Sequence, residues 1–179
     1  MSGILGALLA SYAAAAGDYE SIATVTVGSG GTSTVSFTSI PNTYTHLQIR
    51  ATAQASASDI FMRFNSDTTT SYAKHYLYGN GSTATANGYN NQDLISFAYT
   101  TASGSVFSGN VCDILDYANT NKNKTVRVLN GWDSNGSGGI ILWSGAWFKT
   151  DAITSISIFP PSSVIAQYSH FALYGIKSA

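Results

Sequence analysis

Charged side chains are scarce in this sequence. Asp, Glu, Lys and Arg make up 9% of its 179 residues, against roughly a quarter in an average soluble domain. The formal net charge is −1, so no excess of basic residues exists for a phosphate backbone, and we expect no direct nucleic-acid partner. Polarity comes instead from Ser, Thr, Asn and Tyr, whose burial between subunits costs less free energy than burial of an ion.

Cysteine, glutamate and histidine are also rare, which limits the chemistry available to the chain. The one cysteine, Cys112, cannot form an internal disulfide, and its apolar neighbours predict a buried thiol. Three histidines, the aspartates and Glu20 remain, without a nucleophile elbow, a zinc-protease pair, a phosphate-binding loop or a paired-cysteine motif. We therefore predict no catalytic residue, no cofactor and no metal site, and a protein that is not an enzyme.

Two minor readings for chemistry stay open beside this prediction. Asp113 and Asp116 could form the carboxylate pair of a hydrolase, although a turn or an ion pair with Lys122 or Lys124 explains them more simply. Loop oxygens could bind calcium, but their spacing is not that of an EF-hand, and such turns are commoner without metal. The loop residues concerned are Asn65, Asp67, Asp133, Asn135 and Gly136.

Long apolar runs are missing as well, so we expect no membrane contact. The opening segment, residues 1–17, also lacks the positively charged start of a secretion signal. Its apolar residues recur at helical spacing and predict an amphipathic helix that anchors to another subunit, with packing on its own domain as the alternative. The predicted anchor face consists of Ile4, Leu5, Leu8, Leu9 and Tyr12. Residues 18–179 are predicted to form a single β-sandwich domain.

After residue 17 the sequence consists of short alternating segments separated by Gly- and Asn-rich clusters. The clearest strand is 44–51, where Leu47, Ile49 and Ala51 share one face. Turns are predicted at 28–31, 79–81 and 135–139. This pattern predicts an all-β fold, a jelly-roll-like antiparallel β-sandwich with a short N-terminal helix. Residues 66–88 read as a long excursion with a short strand around 75–78.

Aromatic residues raise carbohydrate stacking as an alternative to simple core packing. Trp143 and Trp147 have the same parity within one predicted strand, so they should share a face. Histidine 75 lies between aromatic residues of the long excursion. The candidate ligand or receptor surface consists of His75, Tyr76, Tyr78 and Trp132.

Four segments, taken together, resemble small structural proteins of tailed bacteriophages. They are 37–50 (FTSIPNTYTHLQIR), 62–67 (MRFNSD) followed by Tyr72, His75 and Tyr76, 113–125 (DILDYANTNKNKT) and 171–176 (FALYGI). The order of the pieces matches over most of the chain after Gly17. The resemblance implies a component of the virion and brings no catalytic residues with it.

Two roles follow from this resemblance. One is a capsid decoration or cement subunit that docks on the major capsid protein through its N-terminal helix and sandwich faces, as a homo-oligomer such as a trimer. The other is a tail-associated or tail-fibre subunit whose β-sandwich binds a receptor or a carbohydrate, with a host-surface glycan as partner. Both place the protein in the virion among other virion proteins.

Overall fold

The computed structural model describes residues 18–57, 59–100 and 105–177. These residues form β-strands and no helix, so the predicted all-β fold is confirmed, and they contain no helical segment that could cross a bilayer. The predicted N-terminal helix and its anchor face lie outside the described residues. The strands are β1 (Tyr19–Thr26), β2 (Val35–Phe37), β3 (His46–Ala53), β4 (Asp59–Phe64), β5 (Tyr72–Gly79), β6 (Ala84–Gln92), β7 (Ile95–Tyr99), β8 (Ser108–Leu115), β9 (Lys124–Asp133), β10 (Gly138–Trp147), β11 (Ile156–Phe159) and β12 (His170–Ile176).

The strands pair antiparallel in two sheets. The larger sheet has the order β1-β12-β3-β8-β9-β10-β5-β6, and the smaller has the order β2-β11-β4-β7. Alternate side chains of both sheets meet in one apolar core, to which β3 contributes Leu47 and Ile49, and β4 contributes Met62 and Phe64. The alternation predicted for residues 44–51 is therefore confirmed. The jelly-roll path stays a prediction.

Glycine and asparagine provide the turns at the predicted positions. Gly30 and Gly31 have φ angles of 87° and 74°, and Gly81 has 88°, in a region that side chains with a Cβ rarely adopt. Asn135 and Gly136, between β9 and β10, have φ angles of 55° and 110°. All three predicted turns are confirmed.

The long excursion predicted for residues 66–88 is wrong, but the short strand predicted around 75–78 is confirmed and lies within β5. Strands β5 and β6 form a hairpin there, and the side chain of Asn80 accepts hydrogen bonds from the backbone N–H groups of Ser82 and Thr83 in the turn. All residues of β6 except Gln92 are exposed. The sequence of β6 therefore has no core-facing alternation from which the strand could have been predicted.

Cys112 lies fully buried in β8, as predicted from its neighbours. Burial raises the pKa of its thiol well above the ordinary value, and the neighbouring charge of Asp113 adds to the effect. The thiol is therefore held in its neutral, unreactive form.

Candidate ligand-binding site

An aromatic cleft of about 270 Å³ lies where the larger sheet passes over one end of the smaller sheet. Strands β5, β6, β9 and β10 supply most of its wall, and the remainder comes from Asp59 and Tyr99, which pair at the ends of β4 and β7. We call this space the aromatic cleft. Its lining residues are Asp59, Tyr76, Tyr78, Tyr89, Tyr99, Trp132, Ile141 and Trp143.

Strand register brings the rings to one face. Tyr76 lies opposite Trp143, and Tyr78 lies opposite Ile141, in the ladder between β5 and β10. Because side chains alternate along a strand, Tyr76 and Tyr78 project to the same side. Tyr78 stacks on Trp132 with an interplanar angle of 7°. The rings therefore form a continuous apolar wall with their polar tips at its edges.

The backbone of Gly139 fixes how closely two of these rings approach the sheet. A Cβ atom at this position would lie 2.6 Å from ring atoms of both Trp132 and Tyr78. These distances are shorter than any ordinary contact, so the stacked pair occupies space that only glycine leaves open. The ring pair at the cleft and the glycine in β10 are thus one packed unit.

Trp143 carries a buried polar group without a partner. Its side chain is 7% exposed, and its Nε1–H has no hydrogen-bond acceptor among the described residues. Trp147, four residues along the same strand face, donates its Nε1–H to the Oδ2 atom of Asp67 at 2.7 Å. Buried N–H groups are nearly always paired in proteins. The indole N–H of Trp143 is therefore a buried donor with no partner in a residue that lines the cleft.

Other polar tips of the cleft are free of internal partners too. Within the described residues the hydroxyl groups of Tyr76, Tyr78 and Tyr99 make no hydrogen bond, and each of them can both donate and accept. Burial raises the pKa of the Asp59 carboxyl, and the nearby Lys74 ammonium acts in the opposite direction. The cleft thus offers donors and acceptors around flat apolar faces.

Lys74 places a buried positive charge behind this wall. Its side chain is 7% exposed, and its ammonium lies 5.0 Å from the ring centroid of Phe61, 5.6 Å from that of Tyr89 and 5.9 Å from that of Trp143. Burial lowers the pKa of the ammonium, and the carboxylates of Asp59 and Asp93 oppose that effect. Contact with the π-faces of the rings stabilises the charge.

The structure brings most of the predicted ligand surface into the cleft. Tyr76, Tyr78 and Trp132 line it, whereas the exposed His75 lies on the opposite face of β5 with its ring over Gly88. The shared face predicted for Trp143 and Trp147 is confirmed, and both are buried. Sequence reasoning did not assign the other lining residues to the site, although the parity of Trp143 was a usable signal. Those residues are Asp59, Tyr89, Tyr99, Ile141 and Trp143.

The two aspartates weighed as a hydrolase pair are engaged by separate cations. Asp113 accepts hydrogen bonds from Arg127 at 3.0 Å and from Gln48 at 2.7 Å. Asp116 forms an ion pair with Lys122 at 2.6 Å. The interaction with Lys122 that the sequence favoured is therefore confirmed, and the two carboxylates have different partners.

The loop oxygens weighed as calcium ligands do not converge. Asp67 contacts Trp147 at one end of β10, whereas Asp133 ends β9 and Asn135 lies in the turn that follows it, at the other end of β10. The Oδ1 atom of Asn65 is occupied by the backbone N–H groups of residues 154 and 155. No cluster of three or more His, Cys, Asp or Glu side chains suited to a metal occurs among the described residues.

Ring faces, free hydroxyls and one carboxyl suit a ligand that has both apolar faces and hydroxyl groups. Comparisons of the chain with protein-family models, with curated proteins and with solved structures find no match. The assignment of the cleft therefore depends on its own geometry.

Proposed function

We propose that this protein is a non-enzymatic subunit of a bacteriophage particle and that its β-sandwich binds a host-surface carbohydrate in the aromatic cleft. The resemblance of four sequence segments to tailed-phage structural proteins supports the location in the virion. The low content of charged residues suits a protein with extensive contacts to other subunits. Of the two virion roles expected from the sequence, the cleft favours the tail-associated, carbohydrate-binding one.

We infer further that the sandwich is a jelly roll enlarged by two hairpins. The orders β1-β12-β3-β8 and β2-β11-β4-β7 supply the two four-stranded sheets that such a fold requires. The hairpins β5–β6 and β9–β10 then continue the first of these sheets on one side. Jelly rolls are frequent in viral capsid proteins and in lectins. Because fold alone does not fix function, the argument for carbohydrate depends on the site carried by the added hairpins.

The wall of aromatic rings in the cleft is the observation that carries the proposal. Tyr78 stacks on Trp132 with an interplanar angle of 7°. The hydroxyl groups of Tyr76, Tyr78 and Tyr99 have no internal hydrogen-bond partner among the described residues. A sugar presents hydroxyl groups at its rim and C–H groups on its faces, so one sugar unit can use both features at once.

A methylated ammonium group is the main competing ligand for a site lined by aromatic rings. It would use the ring faces and Asp59, but a methylated ammonium has no group that pairs with the free hydroxyls of Tyr76 and Tyr78. The Lys74 ammonium already lies against the rings of Tyr89 and Trp143, and a second cation in contact with the same rings would be repelled. The geometry therefore favours an uncharged polyhydroxylated ligand.

The test is binding of the purified chain to an array of bacterial surface polysaccharides and of their component sugars, with choline as the competing ligand. Trp132 and Trp143 line the cleft, so tryptophan fluorescence reports occupancy directly. We expect saturable binding of at least one saccharide and none of choline. Binding of choline alone, or of no saccharide, would refute the carbohydrate assignment.

A pair of variants distinguishes saccharide binding in the cleft from non-specific binding elsewhere on the surface. Trp132→Ala should remove saccharide binding, because the ring stacks on Tyr78 and contributes to the cleft wall. Tyr168→Ala is the matched control, since Tyr168 is 72% exposed and does not line the cleft. Antibody labelling of intact phage particles tests the location, and label at the tail tip is the result expected for a receptor-binding subunit.

A further inference from the structure

The outer face of the larger sheet carries an exposed apolar strip on the added hairpins. Leu142 of β10 lies directly between Leu77 of β5 and Leu129 of β9 in the two ladders. These side chains are 44%, 56% and 48% exposed, and Ile140, two residues from Leu142 on the same face, is 57% exposed. We call these four residues the outer apolar strip. A contiguous group of this kind usually marks an interaction surface, unlike scattered single residues.

The strip is flat at Ile140, and its own four side chains carry no charge. Ile140 pairs with Gly79 on β5 and with Gly131 on β9, so neither cross-strand neighbour has a side chain that projects from the sheet beside it. On β9, Arg127 and Asp133 flank the strip at its two ends. Arg127 is paired with Asp113 at 3.0 Å, and Asp133 accepts a hydrogen bond from the backbone N–H of Asn135. A partner that covers the centre of the strip must therefore be apolar.

The sequence contains one segment with these properties. Residues 1–17 include no Asp, Glu, Lys or Arg, and their predicted anchor face, Ile4 to Tyr12, would be about 12 Å long as a helix. The row from Leu77 through Leu142 and Leu129 to Val111 crosses three strand spacings, which is about 14 Å. The lengths and the apolar character of the two surfaces match.

We propose that residues 4–12 of a neighbouring copy of this chain dock on the outer apolar strip. The proposal concerns assembly and is independent of the aromatic cleft, which lies on the other face of the same hairpins. Each copy then donates one segment and receives one. Head-to-tail contacts of this kind close into a ring when the rotation between copies allows it.

The position of β1 favours a neighbouring copy over the same chain. Strand β1 lies four strand spacings from β9, or about 19 Å. Thr24 of β1 lies at the same height as Leu129 of β9, because the successive ladders connect them in register. Tyr19, where β1 begins, lies five residues from Thr24, which is about 17 Å along the strand direction. The combined separation of about 25 Å is as long as the roughly 25 Å that the seven Cα–Cα steps from Tyr12 to Tyr19 span at full extension, so docking on the same chain would need a fully stretched linker. Four alanines at 13–16 also favour a shorter, helical connection.

Disulfide trapping between two full-length variants tests the docking. Leu8→Cys and Leu142→Cys are mixed, oxidised and separated without reductant. The native Cys112 is fully buried and does not compete. We expect a mixed dimer from this pair. Leu8→Cys mixed with Ser36→Cys is the control, because Ser36 is exposed on β2 of the other sheet, and this pair should give no dimer.

A second measurement keeps the test decisive if trapping is inefficient. The double variant Leu129→Ser, Leu142→Ser changes two exposed side chains and should leave the sandwich folded. By light scattering coupled to gel filtration, we expect the unmodified chain to be an oligomer and the double variant to be a monomer. A monomeric unmodified chain, or a disulfide that forms only within one chain carrying Leu8→Cys and Leu142→Cys together, would overturn the proposal.

Discussion

Tyr76 and Trp143 face each other across the ladder between β5 and β10, with ring centroids 4.9 Å apart and planes inclined by 56°. The hydroxyl of Tyr76 and the indole N–H of Trp143 have no hydrogen-bond partner among the described residues. Phenylalanine at both positions would supply ring faces without polar groups. The two unpaired polar groups therefore distinguish this pair from rings that pack only through their faces.

Trp143→Phe should have little effect on the stability of the free protein. The variant loses ring area but also removes a buried N–H that lacks an acceptor, so we expect the free energy of unfolding to change by about 1 kcal/mol or less. Trp147→Phe is the matched comparison on the same strand. It removes the hydrogen bond to the Asp67 carboxylate and should cost about 2 to 3 kcal/mol. Urea unfolding of both variants checks the difference, and equal losses would show that the Trp143 N–H has a partner.

Gly139→Ala should weaken saccharide binding without unfolding the protein. The added methyl group would displace the Trp132 and Tyr78 rings, whose atoms lie 2.6 Å from the position of the new Cβ. Loss of one aromatic stacking contact, about 1.4 kcal/mol, corresponds to about a tenfold loss of affinity. Gly109→Ala is the control, since a Cβ there meets nothing within 4 Å. Titration by tryptophan fluorescence measures the saccharide affinity of both variants. Equal affinities would show that the Trp132–Tyr78 pair does not contribute to binding.

Local alternation made part of this site predictable from the sequence. The parity of Trp143 and Trp147 placed both rings on one face, and Tyr76 and Tyr78 share a face for the same reason. The same rule excludes His75, which has the opposite parity and lies outside the cleft. A stricter use of parity would therefore have separated His75 from its two tyrosine neighbours.

Two other features could not be predicted, for physical reasons. Pairing of β5 with β10 joins residues far apart in sequence, and no local pattern encodes such a partner. Strand β6 is solvated on both faces, so it lacks the apolar period by which strands are recognised. Asp59 enters the cleft only because β4 pairs with β7 beside the hairpins.

Acid stability should depend on Asp67. Desolvation raises the pKa of this carboxyl, but hydrogen bonds from Thr69, Trp147 and Lys149 outweigh it and lower the pKa to about 2. A carboxyl with a lowered pKa stabilises the fold above its unfolded pKa, near 4, and this contribution is lost as the pH falls towards 2. Asp67→Asn should therefore lose stability at pH 7 and show a flatter decline between pH 4 and pH 2. Thermal unfolding over this range measures the effect, and parallel curves for the two proteins would contradict it.

Lys74→Met should leave the protein as stable at pH 7 or make it more stable, by about 1 kcal/mol. The ammonium is buried against three rings, and the lowered pKa of Lys74 means that folding disfavours its charged form. Methionine keeps the stem and packs well on aromatic rings. The unmodified protein should gain stability as the pH rises through the lowered pKa towards 10.5, because the lysine then folds in its neutral form. The advantage of methionine should shrink over the same range.

Lys122→Met is the control for this last prediction, because Lys122 is 55% exposed and forms a surface ion pair with Asp116. Its removal should change stability by less than about 1 kcal/mol. Loss of Lys74 also leaves Asp59 without its neighbouring cation, and Asp59→Asn in the same chain removes that complication. A clear loss of stability at pH 7 in the Lys74→Met, Asp59→Asn double variant, relative to Asp59→Asn alone, would mean that attraction between the ammonium and the rings exceeds its desolvation penalty. The charge of Lys74 would then stabilise the packing of the rings in the cleft wall, and its removal should weaken that packing.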